Sequence, residues 1–332
     1  MAQSRLTTAL DSGAVSLPDG PIAVFRPAAG FDLSALPREQ VVISHTFRPD
    51  YDYWRAAGYA VQEGAITAPT ALVVLPRSKV QARALIAAAV ATAELVLVDG
   101  QREDGIDSIW RDMRAKVPAA DLSGVVKAHG RLFWLTRDQI PAGAFEDWAA
   151  PVLSEFDGFV TSAGVFSDGA VDRGSALLAA ALPEKLPARI ADLGAGWGYL
   201  SQAILQREGV KTVDLIEAEA LALENARQNV TDARAKFTWA DATQFKADKA
   251  YDAVVMNPPF HIGAKGEPAL GRAFITAAQR ILHPGGKLWM VANRHLPYEA
   301  ILREQFHEVS ELPGGDGAFK LFYAAKPVRA RR

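Results

Sequence analysis

The sequence has 332 residues, more than one hydrophobic core usually serves, so two domains are expected. Hydrophobic residues make up 49% of the chain, charged residues make up 22%, and the formal net charge is -2, so the overall charge does not indicate a nucleic-acid partner. Because the chain contains no cysteine, disulfides, thiol catalysis and cysteine-liganded zinc sites are excluded.

Hydropathy and local charge indicate the surroundings in which the protein works. Residues 1–5 lack the apolar core of a signal peptide, and the most apolar segment, residues 84–98, is too short to span a bilayer. We therefore expect a cytoplasmic protein without a membrane partner. The segment after Phe260 carries 11 Lys and Arg against 6 Asp and Glu, and such a local basic region can meet phosphates or be a solvated terminus.

In the first half of the chain, strands alternate with helices. Residues 1–40 are rich in proline, glycine and alanine and show little periodicity. Apolar runs then predict strands at 41–44, 71–75 and 95–98. Helical patterns predict a helix at 80–91, which Ser78 would cap, and a second helix at 106–116. This alternation predicts a parallel sheet. The loop at 99–105 has too few glycines to approach a nucleotide cofactor, so this half is predicted to lack catalytic groups.

The second half follows the same alternation and ends in a pair of strands. Its predicted elements are strands 188–193, 213–217, 236–241, 251–256 and 287–292, helices from Tyr199 and over 268–282, and closing strands 309–312 and 319–324. In an open sheet of this kind, ligands bind just outside the carboxyl ends of the strands. The residues that directly follow each strand are therefore the candidates for a site.

Three of these strand ends carry the features of a nucleoside site. Gly194, Gly196 and Gly198 follow the first strand at alternate positions, so the backbone there can pass close beneath a ligand at a helix start. Glu217 ends the next strand, where an acid commonly takes ribose hydroxyls, and Asp241 at the third strand could accept from an adenine amine. The glycine spacing differs from that of dinucleotide sites, which favours a nucleoside without a pyrophosphate.

The fourth strand ends at Asn257-Pro258-Pro259-Phe260, because prolines have no N–H to continue a sheet. The Asn257 side-chain oxygen and a carbonyl made rigid by proline could each accept one hydrogen of an amino group, which would aim the lone pair of its nitrogen. The Phe260 ring would offer a flat partner to a flat substrate. The alternative is a tight proline turn with a buried phenylalanine.

Together these residues resemble the class I S-adenosylmethionine-dependent methyltransferases that methylate amino nitrogens. The closer resemblance is to the bacterial rRNA guanine-N2 methyltransferases of the RsmC-like family, which act on the small subunit. It rests on further motifs and extends over about residues 160–325: Gly164-Val165-Phe166-Ser167, Asp172-Arg173-Gly174-Ser175, Val291-Ala292-Asn293 and Phe319-Lys320-Leu321. Trp197 departs from the small residue expected in the glycine loop, which leaves its role open.

The resemblance implies an α/β protein of two tandem Rossmann-like methyltransferase domains. Residues 1–155 would form a degenerate domain for RNA binding or structural support. Residues 156–332 would form the catalytic domain, a seven-stranded class I methyltransferase sheet. The implied cofactor is S-adenosylmethionine without a metal, and the implied partner is ribosomal RNA or the small ribosomal subunit, bound by a monomer.

The resemblance also implies a role for each site residue. Asn257 and the Pro258 carbonyl would hold the guanine amine, and Phe260 would stack on the base. Asp192, Gly194, Gly196 and Gly198 would hold the methionine moiety of the cofactor. Glu217 would hold its ribose, and Asp241 would hold its adenine. Phe166 and Gly174 would line the cofactor pocket.

The predicted reaction is direct transfer of a methyl group to an exocyclic nitrogen, which asks the protein mainly to position its substrates. A base in a helix would have to be extruded first. His261 could accept the proton or be an ordinary loop histidine. Other acceptors, adenine N6 or a protein glutamine N5, remain open, as do an NAD-dependent dehydrogenase and a non-catalytic RNA-binding assembly factor.

Overall fold

The computed structural model describes residues 3–122, 124–149, 154–162, 164–165, 170–259, 261–262, 265–266 and 268–329. The chain forms two compact units, Met1–Val152 and Leu153–Arg332. Within the described residues, no helix is both long enough and apolar enough to cross a bilayer.

The first unit is built around a seven-stranded sheet. Its strands are β1 (Ile22–Phe25), β2 (Val41–Ser44), β3 (Ala60–Gln62), β4 (Thr70–Val74), β5 (Leu95–Gln101), β6 (Gly124–Lys127) and β7 (Gly130–Thr136). Its helices are α1 (Arg5–Asp11), α2 (Arg48–Ala56), α3 (Lys79–Thr92) and α4 (Ile106–Lys116). The strand order is β3-β2-β1-β4-β5-β7-β6, in which β1 to β5 are parallel and β7 runs antiparallel to β5 and β6.

Most of the elements predicted for this unit are present, and residues 1–40, where the sequence shows little periodicity, contain two further elements. Helix α1 and strand β1 both lie there, and β1 is a fully buried inner strand of the sheet. A buried strand of four apolar residues is too short to show a period, which is why the pattern did not reveal it. At α3 the predicted cap is confirmed, since the Ser78 hydroxyl accepts a hydrogen bond from the Gln81 N–H.

The second unit is built around another seven-stranded sheet. Its strands are β10 (Arg189–Leu193), β11 (Thr212–Glu217), β12 (Ala235–Trp239), β13 (Tyr251–Met256), β16 (Leu282–Asn293), β17 (Phe306–Leu312) and β18 (Phe319–Pro327). Two small hairpins flank it: β8 (Ser154–Phe156) with β9 (Phe159–Thr161), and β14 (His261–Ile262) with β15 (Lys265–Gly266). Its helices are α5 (Arg173–Ala181), α6 (Tyr199–Leu205), α7 (Ala220–Asn229), α8 (Pro268–Ile281) and α9 (Glu299–Gln305).

The two sheets have the same topology. The second has the order β12-β11-β10-β13-β16-β18-β17, with parallel strands up to β16 and antiparallel pairing of β18 with both β16 and β17. Numbered within each sheet, both orders are 3-2-1-4-5-7-6. The predicted α/β architecture, two tandem Rossmann-like domains of which the second has a seven-stranded sheet, is confirmed.

The correspondence between the sheets extends to single residues. Gly194 directly follows β10 with φ 74°, and its N–H donates to the Ile216 carbonyl at 2.8 Å. Arg26 directly follows β1 with φ 55°, and its N–H donates to the Ser44 carbonyl at 3.0 Å. The first unit therefore keeps the left-handed turn of the glycine loop although an arginine now occupies it.

The chemical groups at the other strand ends are lost in the first unit. Pairing across the strands places His45 where the second unit has Glu217, and Val74 where it has Asn257. An acid and an amide are thus replaced by a buried imidazole and an apolar side chain. The first unit is a degenerate copy of the second, as predicted.

Candidate functional site

The candidate site lies at the carboxyl ends of β10, β11 and β13, which are neighbours in the second sheet. A pocket opens there between the glycine loop, the start of α5 and the end of β13. Its lining residues are Asp172, Ser175, Gly194, Ala195, Gly196, Trp197, Tyr199, Leu200 and Asn257. The fold therefore brings the glycine loop and the acceptor asparagine, which are far apart in sequence, to one pocket.

The glycine loop has left-handed backbone conformations at its three glycines, which an alanine adopts only with strain. At Gly196 an added Cβ would meet nothing within 4 Å, so this backbone faces open space in the pocket. At Gly198 an added Cβ would lie 2.7 Å from Val230 Cγ2 on the far side of the loop. Gly196 thus leaves room for a ligand, whereas Gly198 is required by packing.

Glu217 supports the glycine loop from the end of β11. Its Oε2 accepts from the Gly196 N–H at 2.8 Å and its Oε1 accepts from the Glu219 N–H at 2.7 Å. Burial raises the pKa of this carboxyl group above its usual range. Each carboxylate oxygen has a second lone pair, so the side chain can still accept hydrogen bonds from ribose hydroxyls.

Asp192, near the end of β10, is fully buried. Its Oδ2 accepts from the Ser201 hydroxyl of α6 at 2.7 Å, and its Oδ1 has no partner among the described residues. Burial, with a further contribution from the charge of Glu217, raises the pKa of Asp192 to about 7. Asp192 thus connects β10 to α6, the helix that follows the glycine loop, and so supports this loop. Its predicted contact with the methionine moiety of the cofactor stays a prediction.

Trp197 now has a structural role. The side chain is buried and its ring packs against Phe156, Phe159 and Tyr199, with centroids 5.5, 4.8 and 5.7 Å away. Phe156 and Phe159 belong to the β8–β9 hairpin. A large residue in the glycine loop thus anchors that hairpin beside the pocket.

Asp241 follows the end of β12 by two residues and forms a local turn. Its Oδ1 accepts from both the N–H and the hydroxyl group of Thr243, at 2.8 and 2.7 Å. This leaves its Oδ2 for a ligand, and the predicted contact with adenine stays a prediction. Among the described residues, no group of three or more His, Asp or Glu side chains could hold a metal ion.

Asn257 follows the last residue of β13, and its carboxamide is held by α5. The Nδ2 group donates to Asp172 Oδ2 at 2.7 Å and to Ser175 Oγ at 2.8 Å. The Oδ1 atom is buried and has no partner among the described residues. Because an ionised carboxylate only accepts hydrogen bonds, the nitrogen must be the atom that faces Asp172. The oxygen is therefore left to accept from a bound substrate.

The remaining predicted residues fall into two groups. Pro258 is buried directly after Asn257, and Gly174 lies in the first turn of α5, where an added Cβ would be 3.0 Å from the Phe319 ring. Gly174 thus allows α5 to pack closely against β18, and its contact with a cofactor stays a prediction. Phe260 and Phe166 lie outside the described residues, as does the side chain of His261.

Sequence reasoning assigned no role to Asp172 and Ser175, although their motif was part of the family resemblance. Asp172 is the N-cap of α5, and its Oδ2 accepts from the Ser175 N–H at 2.7 Å. An aspartate directly before an apolar helical run is a cap signal, so the sequence did indicate this local role. It did not indicate the second role, the contact with Asn257.

The sequence and the fold both match known methyltransferases. A family model described as the methyltransferase small domain matches residues 157–323. The ribosomal RNA small subunit methyltransferase C of Aeromonas hydrophila is 28% identical over 317 residues, which cover 86% of this chain and 89% of that relative. The ribosomal RNA large subunit methyltransferase G of Alcanivorax borkumensis is 35% identical over 156 residues, which cover 45% of this chain and 40% of that relative.

One solved structure is similar over both units. It is the 16S rRNA N2 methyltransferase RsmC of T. thermophilus in complex with AdoMet and guanosine. It matches with a TM-score of 0.76 and 24% identity, covering 94% of this chain and 90% of that chain. At this identity the match shows the fold, and it agrees with the duplicated strand order described above.

Proposed function

The chain belongs to the methyltransferase small domain family. On this basis we propose that it transfers a methyl group from S-adenosylmethionine to the exocyclic N2 amine of a guanine in small-subunit ribosomal RNA. The observation that carries the proposal is the carboxamide of Asn257. Its nitrogen is bonded to Asp172 and Ser175, and its buried oxygen is left as an acceptor beside the glycine loop. An amino group is the substrate feature that matches this oxygen.

The residues at the strand ends fit S-adenosylmethionine. The backbone at Gly196 faces open space and offers a close approach to the methionine part, with Gly194 and Gly198 forming the turn on either side. Glu217 would accept hydrogen bonds from the ribose hydroxyls, and the Asp241 Oδ2 would accept from the adenine amine, since each carboxylate keeps accepting capacity beside its contacts within the protein. When bound, the cofactor supplies an electrophilic methyl group on a sulfonium, which makes a covalent intermediate or metal unnecessary.

At the acceptor, the work of the protein is orientation. The Asn257 Oδ1 and the Pro258 carbonyl would each accept one hydrogen of the amine, so that its lone pair points at the methyl carbon. The nitrogen would take up the methyl group that the cofactor supplies, the electron pair of the carbon–sulfur bond would stay on the sulfur, and the nitrogen would release one proton to water. Because the amine becomes acidic as it is alkylated, no strong base is needed. Phe260 would stack on the base.

Support for guanine in small-subunit RNA comes from the relatives. The A. hydrophila protein is named for the small ribosomal subunit, and the T. thermophilus structure contains guanosine and is described as an N2 methyltransferase. The shorter match to a large-subunit methyltransferase favours large-subunit RNA as the second candidate. Adenine N6 and a protein glutamine N5 stay as alternatives, since Asn257 Oδ1 accepts from any amino group. We also propose that the enzyme works as a cytoplasmic monomer, either on free RNA or on the subunit.

The test supplies methyl-labelled S-adenosylmethionine and both ribosomal subunits, or their free RNA, from cells that lack the protein. The RNA is then digested and the labelled nucleoside is identified. We expect N2-methylguanosine in the small-subunit fraction, and we expect it to be absent with Asn257→Ala. Label in large-subunit RNA, in methyladenosine or in protein would show that the methyl acceptor is not a guanine N2 amine of small-subunit RNA. No label in any fraction would remove the enzymatic proposal.

A further inference from the structure

The carboxamide of Asn257 has two orientations of nearly equal shape and opposite chemistry. In one orientation the oxygen faces the substrate and accepts from an amine; in the other the NH2 group faces it and donates to a carbonyl. We propose that Asp172 and Ser175 are positioning residues that fix the first orientation and so restrict the site to acceptor groups that carry hydrogens. This inference rests on the proposed function and deepens it.

The hydrogen bonds at this point account for both hydrogens of the Asn257 amide. One goes to Asp172 Oδ2 at 2.7 Å and the other to Ser175 Oγ at 2.8 Å. The amide nitrogen has no further hydrogen to offer. The amide oxygen, in contrast, is buried without a partner among the described residues. The side chain is thus fully bonded on one side and open as an acceptor on the other.

Asp172 decides the orientation because a carboxylate cannot donate. Rotating the amide by half a turn would place the Asn257 oxygen against the Asp172 oxygen and leave two acceptors in contact. The Ser175 hydroxyl could adapt to either orientation, since a hydroxyl group donates as well as accepts. Ser175 therefore adds a second acceptor, and Asp172 makes the choice.

The start of α5 holds Asp172 in place for this task. The same Asp172 Oδ2 also accepts from the Ser175 N–H at 2.7 Å, which caps the helix. At Gly174 an added Cβ would lie 3.1 Å from Asp172 Oδ2 and 3.0 Å from the Phe319 ring, so the turn is closely packed. One oxygen atom thus joins the helix cap to the acceptor amide.

Two substitutions at this position separate the cap from the amide contact. Serine caps helices about as well as aspartate, but its side chain is one atom too short to reach Asn257. Asp172→Ser should therefore keep the melting temperature and the affinity for S-adenosylmethionine, while kcat for methyl transfer falls by about 10- to 100-fold. Asp172→Asn keeps an accepting oxygen at the same reach, so it should retain kcat within several-fold of the wild type. Ser175→Ala should show a smaller loss than Asp172→Ser.

The outcomes separate this inference from the function on which it rests. Wild-type kcat in Asp172→Ser, or equal losses in Asp172→Ser and Asp172→Asn, would overturn the role of Asp172 while the methyl transfer stands. If the wild type transfers no methyl group, the orientation is still tested by NMR on protein with 15N-labelled asparagine. The side-chain protons of Asn257 should exchange with solvent at least tenfold faster in Asp172→Ser than in the wild type. Unchanged exchange would overturn the inference independently of activity.

Discussion

The side chain of Asn229 pairs with the backbone of Val160 as a neighbouring strand would. The Val160 N–H donates to Asn229 Oδ1 at 2.8 Å, and Asn229 Nδ2 donates to the Val160 carbonyl at 2.9 Å. The same Nδ2 donates to the carbonyl of Trp197 in the glycine loop at 2.8 Å. One side chain on α7 thus ties the β8–β9 hairpin to the loop predicted to bind the cofactor.

Removing this tie should weaken the second unit. Asn229→Ala leaves three backbone groups without their partner, and at about 1 kcal/mol for each partly exposed hydrogen bond we expect a loss of about 3 kcal/mol in the free energy of unfolding. Asn229→Asp keeps the contact with the Val160 N–H but places a carboxylate oxygen against the carbonyl oxygens of Val160 and Trp197, so its loss should be at least as large as that of Asn229→Ala. Urea unfolding measures both. An unchanged unfolding midpoint in Asn229→Ala would show that the hairpin is held by its aromatic contacts alone.

The buried acid Asp192 should make stability depend on pH. Its pKa is raised to about 7 in the folded protein by burial, against about 3.9 in the unfolded chain. Between these values the folded state holds a proton that the unfolded state has released. The free energy of unfolding should therefore fall as pH rises from about 4 to about 7, by at most about 1.4 kcal/mol per pH unit from this group.

Asp192→Asn should flatten this dependence, because an amide oxygen can still accept from Ser201 and carries no charge. Part of the slope should remain, since the raised pKa of Glu217 acts in the same direction. The control is Asp232→Asn, a partly exposed acid whose pKa is lowered to about 2 by its hydrogen bonds with Arg234. Urea unfolding at pH 5, 6, 7 and 8 makes the comparison. A slope in Asp192→Asn as steep as in the wild type would contradict the assignment to Asp192.

The glycines of the loop should respond differently to alanine. At Gly196 the added methyl group enters open space, so Gly196→Ala should cost only the strain of its left-handed backbone, about 1–2 kcal/mol, and should lower the affinity for S-adenosylmethionine. At Gly198 the methyl group would also meet Val230, so Gly198→Ala should destabilise more. Calorimetry and urea unfolding separate the two effects. Val230→Ala combined with Gly198→Ala should restore part of the stability that Gly198→Ala loses. The same change combined with Gly196→Ala should not restore the affinity for S-adenosylmethionine.

The elements that sequence predicted well are those with a local signal. The end of β13 was fixed by two prolines, and the glycine loop by the alternate spacing of Gly194, Gly196 and Gly198. Strand β1 carried no such signal and was missed. The contact between Asp172 and Asn257 was also missed, because the two residues are 85 positions apart and meet only when α5 packs beside β13. No local pattern encodes a contact of this kind.

Exchanging the aspartate at 172 and the asparagine at 257 gives the most direct test of the contact between these two side chains. Asn257→Asp places a second carboxylate against Asp172, where the two atoms are 2.7 Å apart, and like charges at this distance repel. We expect methyl transfer to fall at least 100-fold, by the loss of the acceptor geometry and of the bond to Asp172. The affinity for S-adenosylmethionine should change far less.

The double variant Asp172→Asn with Asn257→Asp should recover activity. An asparagine at 172 can donate to one carboxylate oxygen of the new aspartate, and the other oxygen again faces the acceptor amine. The donating NH2 group then takes the place of the oxygen that accepts from the Ser175 N–H, so we expect this activity to return at the expense of the helix cap. We expect kcat at least tenfold above that of Asn257→Asp alone, which is a favourable coupling that independent sites do not show. A matched pairing of Asn257→Asp with Ser78→Ala, which removes a helix cap in the first unit, should show no recovery. If both double variants are equally inactive, Asp172 does not orient residue 257.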